Sequence, residues 1–397
     1  MGDIAVMEAL AKGELDSRTS LLRPSQQGSR APTDLRHFIQ VLDEAGLLVR
    51  VREEVDWKFE IGKMTRERRA PLLFENVRDY PGQRVFTNGL CDQRSIGLAL
   101  GLDFSANWKT VITEGVSRKV RPVKPRLVAT SPVLENTVHG KDINLLRLPV
   151  PQWHHCDAGR YIGTWHINVT KDPETECRNV GVYRMQLLGP KQATVSASPR
   201  SHLAQQFAKA EREGQSLPMA VAIGVSELVI MAAAAACPDG IDEYELAGGL
   251  QGEAVRLIQC LTANLEVPAQ SEVVIEGLIQ PRVRVQDGPY FDYSGAPNTN
   301  PNAYLFEATQ LMFRSNPIFR GTSIGVAGAE DHQLFAFLAQ LALVDFHGSR
   351  MKQAIQNILL KRRFFRTFQL VGKMGAMAGG QRRKLATSMR HSLGKSS

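Results

Sequence analysis

The chain lacks long hydrophobic runs and paired cysteines, and each absence removes a class of protein. Its longest apolar run, Leu228 to Cys237, has ten residues, whereas a membrane-spanning helix needs about 20. No charged and then apolar leader opens the sequence, so we expect a cytoplasmic protein without a membrane span. The five cysteines are an odd number without a Cys-x-x-Cys pair. They therefore favour reduced thiols over a disulfide framework or a structural zinc site.

Acidic residues are absent from one end of the chain. Residues 352–397 hold eleven Lys and Arg and no Asp or Glu, which leaves 37 basic and 40 acidic residues elsewhere. This basic tail is compatible with contact to nucleic acid, anionic lipid or an acidic partner, and equally with a solvated helix and a frayed terminus. No zinc knuckle, helix-turn-helix signature or aromatic-basic RNA motif supports binding to nucleic acid.

The remaining composition is that of a globular protein with several parts. A hydrophobic content of 43% over 397 residues is enough for two or three domains with buried cores. Helical spacing after Asp34 is followed by a short apolar strand at Leu72–Val77, and β-branched runs dominate after the proline-rich Arg121–Arg126. One helix, Ser201–Glu213, interrupts these runs, so we expect a mostly β sandwich or barrel there.

These patterns predict four segments along the chain. They are a flexible leader (1–33), a small N-terminal α/β domain (34–115), a central β domain (116–325) and a helical, basic C-terminal region (326–397).

Two acidic residues near the end of the central segment are the first candidates for chemistry. Asp287 and Asp292 flank Gly288-Pro289, which we expect to reverse the chain so that both carboxyl groups face one cavity. Arg184, about a hundred residues upstream, offers both a partner. A guanidinium between two carboxylates is a common way to hold paired acids in different protonation states. Acid pairs beside turns are more often solvated, so the interpretation depends on the rest of the chain.

A possible metal site is less obvious from spacing. Asn179, His202 and Glu243 are far apart, and no short ligand motif connects them. Their oxygen and nitrogen donors suit Mn²⁺ or Mg²⁺ bridging a phosphate better than a structural zinc. A histidine near a helix start is more often a cap or a surface residue. Spacing alone therefore does not identify a metal site.

About a dozen segments, in order, carry a resemblance to a known family. They include Leu72–Val77 (LLFENV), Leu98–Asp103 (LALGLD), Leu148–Pro151 (LPVP), Asp157–Ile162 (DAGRYI), Lys171–Thr175 (KDPET), Arg178–Gly189 (RNVGVYRMQLLG), Pro218–Gly224, Asp242–Tyr244, Ala247–Glu253 and the segment after Asp287. From about Asp34 to His332 the chain resembles the UbiD family of prenylated-flavin-dependent decarboxylases.

The resemblance implies a fold, an activity and a set of partners. The fold is α/β, with a small N-terminal α/β domain, a central split β-barrel of the flavin-reductase type and a C-terminal region that is shortened here. The activity is reversible removal of CO2 from an aromatic or α,β-unsaturated carboxylic acid. The cofactor is prenylated FMN, made by a flavin prenyltransferase, together with Mn²⁺ or Mg²⁺ and K⁺. A homo-oligomer is also implied.

The resemblance also implies roles for particular residues. Asn179, His202 and Glu243 match the metal ligands that hold the flavin phosphate, and the cofactor segment includes Val182, Tyr183 and Arg184. Arg184, Asp287 and Asp292 match the catalytic Glu-Arg-Glu triad of the family. We expect Asp292 to donate the proton that replaces CO2 and Asp287 to tune Arg184.

One local difficulty concerns Asn179 and Arg184. They are five positions apart, so a regular strand would point their side chains to opposite faces. We expect a bulge at Gly181 to bring both toward the cofactor.

The chain departs from the family in two places. Asp287 stands where the family usually has Glu, which shortens its reach by roughly an ångström, and misplacement of that size can cost on the order of 100-fold in rate. Only some 65 residues follow His332, whereas the family usually carries a full domain there, including a lysine for the flavin phosphate. Three alternatives stay open: a flavin-binding subunit of a larger (de)carboxylase complex, a CoA ester as substrate, and a nucleic-acid or membrane-surface protein acting through its tail.

Overall fold

The part of the chain that the structure describes begins within the predicted leader. A computed structural model describes residues 30–235, 237 and 241–342. The predicted leader up to residue 29 and the basic tail lie outside these residues. Ala31 and Pro32 are buried, and Ser226 Oγ donates a hydrogen bond to the Pro32 carbonyl at 3.3 Å. The chain is thus packed against the body before the first helix begins.

The helices are short, and most of them begin with a side-chain cap. Those in the described residues are α1 (Leu35–Glu44), α2 (Glu60–Arg68), α3 (Gln93–Ala99), α4 (Trp108–Lys119), α5 (His202–Arg212), α6 (Glu227–Ala234), α7 (Glu243–Gln251) and α8 (Glu330–Ala342). In α1 the Asp34 side chain accepts from His37 N at 2.8 Å, which satisfies a backbone donor of the first turn. Of the residues predicted from the 3.6-residue spacing, Leu35, Phe38, Ile39 and Leu42 are buried there, whereas Leu47 and Leu48 follow the helix and are half-buried. No described helix has the length and apolar character required to cross a membrane.

The strands run from residue 49 to residue 320. They are β1 (Val49–Val51), β2 (Leu72–Phe74), β3 (Arg84–Thr87), β4 (Arg126–Leu127), β5 (Asn136–His139), β6 (Tyr161–Gly163), β7 (His166–Lys171), β8 (Arg178–Gly181), β9 (Met185–Gln186), β10 (Gln192–Val195), β11 (Leu217–Ile223), β12 (Arg256–Gln259), β13 (Glu266–Pro268), β14 (Val273–Phe291), β15 (Pro297–Phe313) and β16 (Ile318–Arg320).

Two sheets form the frame of the molecule. The smaller has the order β1-β2-β3-β16, so a strand from the far side of the central segment completes the N-terminal sheet. The larger has the order β10-β15-β14-β11-β7-β8, with β5 also paired to β15, and it is antiparallel throughout. It curls into a half-barrel, which agrees with the predicted fold class.

A single apolar core joins the two sheets. Leu72 and Phe74 of the N-terminal sheet belong to the same buried cluster as Ile275 and Phe306 of the large sheet, with Trp153 also in it. Each large apolar side chain contributes about 1.5–3 kcal/mol when fully buried. The two sheets therefore hold each other in place, and the loops between them have a fixed position.

The central segment contains more helix than the sequence predicted. The expected single helix is α5, but α6 and α7 also interrupt the strands. In α6, the seven residues from Glu227 to Ala233 are all buried. A helix that is apolar on every side has no 3.6-residue pattern, which is why the run beginning at Leu228 gave no helical signal.

The predicted chain reversal at Gly288-Pro289 is wrong. Strand β14 continues through both residues, joined there by a cis peptide bond, and the register with β15 shifts between Asp287↔Asn300 and Tyr290↔Asn298. One extra residue on β14 makes this a β-bulge, a place where a strand tolerates proline and glycine. The chain instead turns at residues 293–296.

Candidate active site

The strand that carries the cofactor segment ends where the site begins. Strand β8 stops at Gly181, and residues 182–184 leave the sheet before β9 starts. Tyr183 N donates to Asn168 Oδ1 at 3.0 Å. The strand therefore breaks after Gly181 and does not form the predicted bulge. Because of this break, the alternation of a regular strand does not force the side chains of Asn179 and Arg184 to opposite faces. A Cβ on residue 181 would lie 2.6 Å from the Tyr183 ring, so any larger residue here would displace that ring.

A cavity of about 390 Å³ lies beside this break. Its polar wall carries Arg184, Asp292, Tyr290, Asp331, Ser196 and Thr164, and its apolar wall carries Trp165, Val182, Ile230, Ala233, Ala234, Ile324, Leu334 and Phe335. Such a combination is typical of a pocket that binds a flat, mostly apolar ligand and orients it with a few polar groups.

The guanidinium of Arg184 lies between the two predicted carboxyl groups. Its Nε donates to Asp287 Oδ1 at 2.6 Å, and its Nη1 is 3.9 Å from Asp292 Oδ2. The same group lies over the Tyr290 ring, 5.3 Å from its centroid. The structure therefore brings the three residues together, but unequally, because Asp287 makes a hydrogen bond and Asp292 only an ion-pair contact.

Asp287 is held from two sides. It is fully buried, and its second oxygen accepts from Thr194 Oγ1 at 2.6 Å. Burial raises the pKa of Asp287, while the charge and hydrogen bond of Arg184 and the bond from Thr194 act in the opposite direction. Aspartate thus reaches Arg184 without the methylene that glutamate would add.

Asp292 begins the turn that follows β14. Its Oδ1 accepts from Ser294 N at 2.9 Å and from Ser294 Oγ at 2.5 Å. Its other oxygen faces Arg184, and the residue is 8% exposed. The carboxyl group is therefore fixed at the cavity wall with one oxygen directed to the guanidinium.

The three predicted metal ligands line a second cavity of about 330 Å³. It also contains Asp172, Cys177, Arg178, Gln205, Gln206, Lys209, Ile241 and Asp242. Asn179 Nδ2 donates to Thr170 Oγ1 at 3.1 Å, and Asn179 Oδ1 lies 3.4 Å from the Tyr183 hydroxyl. His202 and Glu243 are the first residues of α5 and α7, so two helix starts meet at this cavity.

The donor set of this cavity fits a divalent cation. Burial raises the pKa of Glu243 to about 7, and a nearby cation is what favours the ionised form of a buried carboxyl group. Among the residues that the structure describes, no three His, Cys, Asp or Glu side chains cluster for a metal, and the predicted set differs in using an amide oxygen. Amide, imidazole and carboxylate donors suit Mn²⁺ or Mg²⁺. Helix starts also favour a phosphate.

The two cavities are connected along one stretch of chain. Arg178 and Asn179 line the second cavity, and Gly181 to Arg184 line the first. Tyr183 belongs to the wall between them, since its hydroxyl lies near Asn179 and its residue lines the first cavity. This arrangement suits a ligand with a phosphate at one end and a flat ring at the other.

Comparison with known proteins identifies the family of the chain. Residues 126–327 match the 3-octaprenyl-4-hydroxybenzoate carboxy-lyase Rift-related domain (UbiD), and residues 39–114 match the N-terminal domain of the same carboxy-lyase. The chain is 33% identical over 332 residues to the pyrrole-2-carboxylic acid decarboxylase of Pseudomonas aeruginosa, which covers 80% of this chain and 67% of the relative.

Two solved structures show the same fold. An evolved dimeric form of the UbiD-class enzyme HmfF from Pelotomaculum thermopropionicum, in complex with prFMN, has a TM-score of 0.73 at 33% identity, over 79% of this chain and 72% of that one. The vanillic acid decarboxylase of Sedimentibacter hydroxybenzoicus, in closed form, has a TM-score of 0.76 at 33% identity, over 80% and 69%. The fold and site thus define an enzyme of the carboxy-lyase class, and the chain belongs to the UbiD family.

Sequence reasoning missed several polar residues at the site. Thr194 lies in a β-branched strand, and nothing in the local sequence distinguishes it. Asp331 was noticed only as part of the start of a helix. Asp157 was present in the DAGRYI segment, but only as a mark of resemblance. Thr194 and Asp157 act through contacts with residues distant in the sequence, which spacing does not reveal.

Proposed function

We propose that this chain decarboxylates an aromatic or α,β-unsaturated carboxylic acid with prenylated FMN. The observation that carries the proposal is the position of Arg184, between Asp287 and Asp292, at the wall of a cavity of about 390 Å³. The adjoining cavity with Asn179, His202 and Glu243 is where we place the flavin phosphate, held through Mn²⁺ or Mg²⁺, with K⁺ as part of the same proposal.

Each residue of the triad has a distinct task. Asp287 fixes the direction of the Arg184 guanidinium through its Nε. The remaining N–H groups of Arg184 bind and orient the substrate carboxylate. Asp292 delivers the proton to the carbon that loses CO2, because its carboxyl group is at the cavity wall beside Arg184. Val182 and Tyr183 contact the cofactor from the strand break.

The bound prenylated flavin supplies the group that accepts the electrons left behind as CO2 departs. The apolar wall, with Trp165, Ile230 and Leu334, excludes water from the reacting carbon. The same wall favours a flat, uncharged ring on the substrate.

Co-expression with a flavin prenyltransferase tests the proposal. We expect a coloured protein that carries modified flavin and manganese and releases CO2 from members of a panel of aromatic and α,β-unsaturated acids. Free acids and their CoA esters form separate arms of the panel, which decides between these substrate classes. Native mass spectrometry of the same sample reports the subunit count, for which we propose a homo-oligomer.

A second candidate is a flavin-binding subunit of a larger (de)carboxylase complex. It is favoured by one comparison: a solved structure of the similar vanillic acid decarboxylase of Sedimentibacter hydroxybenzoicus, ShVdcCD, contains a truncated ShVdcD. Under this alternative the protein binds the modified flavin and the metal but releases no CO2 from any acid in the panel.

A further inference from the structure

A buried carboxylate outside the triad holds the backbone next to Asp292. Asp157 is 4% exposed, and its two oxygens accept backbone hydrogen bonds from different parts of the chain. Oδ2 accepts from His154 N at 2.8 Å, within its own loop. Oδ1 accepts from Phe291 N at 2.9 Å, 134 positions further on. Because Phe291 directly precedes Asp292, this one side chain joins the loop to the residue beside the proposed acid.

Other contacts bind the same loop to the same stretch of β14. Ala158 N donates to the Pro289 carbonyl at 2.7 Å. The His154 ring stacks on the Phe291 ring, with centroids 4.4 Å apart and planes 24° from parallel. The His154 Nε2 is also 3.2 Å from the carbonyl of Ile324, a residue of the cavity wall. The loop therefore fixes the bulge, the aromatic ring and the wall together.

We propose that Asp157 is a positioning residue that sets where Asp292 lies relative to Arg184. The inference rests on the proposed function, since it takes Asp292 as the proton donor. The contact between Asp292 Oδ2 and Arg184 Nη1 is 3.9 Å, longer than a hydrogen bond. A small backbone shift at Phe291 therefore decides whether the two groups interact, and a misplacement of about 1 Å can cost on the order of 100-fold in rate.

The position of Asp157 requires an ionised carboxyl group. A carboxylate only accepts hydrogen bonds, so it satisfies two N–H donors at once. Burial raises the pKa of Asp157 to about 6, and the N–H groups of Phe291 and His154, together with the charge of Arg66, oppose that rise. A carboxamide of the same shape would place its NH2 group against one of the two N–H donors.

The test is Asp157→Asn with a matched control. Glu276→Gln is the control, because Glu276 is also buried and accepts from two backbone N–H groups, Leu261 N and Thr262 N, each at 2.7 Å. Glu276 lines neither of the two cavities. We expect both variants to lose thermal stability and to keep FMN affinity. Only D157N should lose kcat, by about 10- to 100-fold, with KM within about threefold.

A double variant separates positioning from structural damage. If Asp157 acts through Asp292, the kcat of D157N/D292N equals that of D292N alone, because the two losses are not additive. If D157N does not fold, Asp157→Ser, which keeps one acceptor, takes its place. A kcat of D157N or D157S within threefold of E276Q, or losses that multiply in the double variant, would overturn the inference.

Failure of the proposed function gives a different result. If D292N retains full activity, Asp292 is not the proton donor, and the inference about Asp157 is then wrong as well. If D292N is inactive and D157N is as active as E276Q, only the inference about Asp157 is wrong. If no acid is turned over by the wild type, the decarboxylase and the role of Asp157 fall together.

Discussion

Thr194 Oγ1 donates a hydrogen bond to Asp287 Oδ2 at 2.6 Å, while Arg184 Nε donates to Oδ1 of the same carboxylate at 2.6 Å. The fully buried Asp287 is thereby fixed by both oxygens. The Thr194 hydroxyl in turn accepts from Gln186 N at 2.9 Å, which fixes its own orientation. The site is thus shaped around a side chain of the length of aspartate.

Removing the Thr194 hydroxyl should loosen Asp287. We expect Thr194→Val to lower kcat/KM by about tenfold, because one oxygen of a buried carboxylate loses its donor and a hydrogen bond to a charged group is worth about 1.5–3 kcal/mol. The Thr194→Ser variant keeps the hydroxyl and should stay within about threefold of the wild type. Equal activity of T194V and the wild type would show that Arg184 alone holds Asp287.

Lengthening Asp287 to glutamate should lower the activity of this chain. Asp287→Glu adds a methylene to a fully buried site, and overpacking of this kind typically costs about 1–3 kcal/mol. We expect a lower melting temperature and lower kcat/KM. The double variant T194A/D287E, which removes volume beside the longer side chain, should recover part of both. Higher activity of D287E alone than of the wild type would show that the site is not shaped around the shorter aspartate side chain.

Substitutions in the cavity lined by Asn179, His202 and Glu243 should weaken binding of the flavin phosphate and not of the flavin ring. We expect His202→Ala or Asn179→Ala to weaken binding of FMN in the presence of Mn²⁺ by at least about tenfold, since a lost metal-mediated contact of 1.4 kcal/mol already gives that factor. Riboflavin, which lacks the phosphate, should bind both variants as it binds the wild type. Fluorescence quenching of the two flavins measures this, and equal losses for both would argue against phosphate binding there.

Asp331 should make stability depend on pH. Burial raises its pKa to about 6, and Oδ1 has no hydrogen-bond partner among the described residues. A carboxyl group with a raised pKa holds its proton more tightly when folded. Its ionised form therefore costs stability above pH 6, and the cost disappears as pH falls toward the ordinary value near 4. We expect Asp331→Asn to be more stable than the wild type by about 3 kcal/mol at pH 8 and nearly equal to it at pH 4.

Urea unfolding at several pH values checks this prediction, with Asp142→Asn at an exposed position as control. A stability difference that is constant from pH 4 to pH 8 would mean that Asp331 does not titrate in this range.

Much of the fold could be predicted from local pattern. The 3.6-residue spacing after Asp34 gave α1, and the β-branched runs gave four of the seven strands of the large sheet, β7, β8, β11 and β14, but not β5, β10 or β15. Hydrophobic spacing did not predict a helix that has no exposed face, such as α6, which is buried on every side. It also failed at Gly288-Pro289, where turn residues occupy a bulge that only the pairing of β14 with β15 reveals.

The candidate site was accessible through resemblance and not through spacing. Arg184 and Asp287 are 103 positions apart, and no local pattern indicates their contact. Thr194 and Asp157 were missed because their partners are 93 and 134 positions away. Such contacts depend on tertiary packing, which no local pattern in the chain encodes.

The most direct test of the account compares steady-state product formation by the wild type and Asp292→Asn, loaded with equal amounts of prenylated FMN. The account predicts that D292N binds the cofactor as well as the wild type but forms product at least about 100-fold more slowly, within the range for loss of a general acid. Equal rates at equal cofactor content would contradict it, because the group beside Arg184 would then not be the source of the proton.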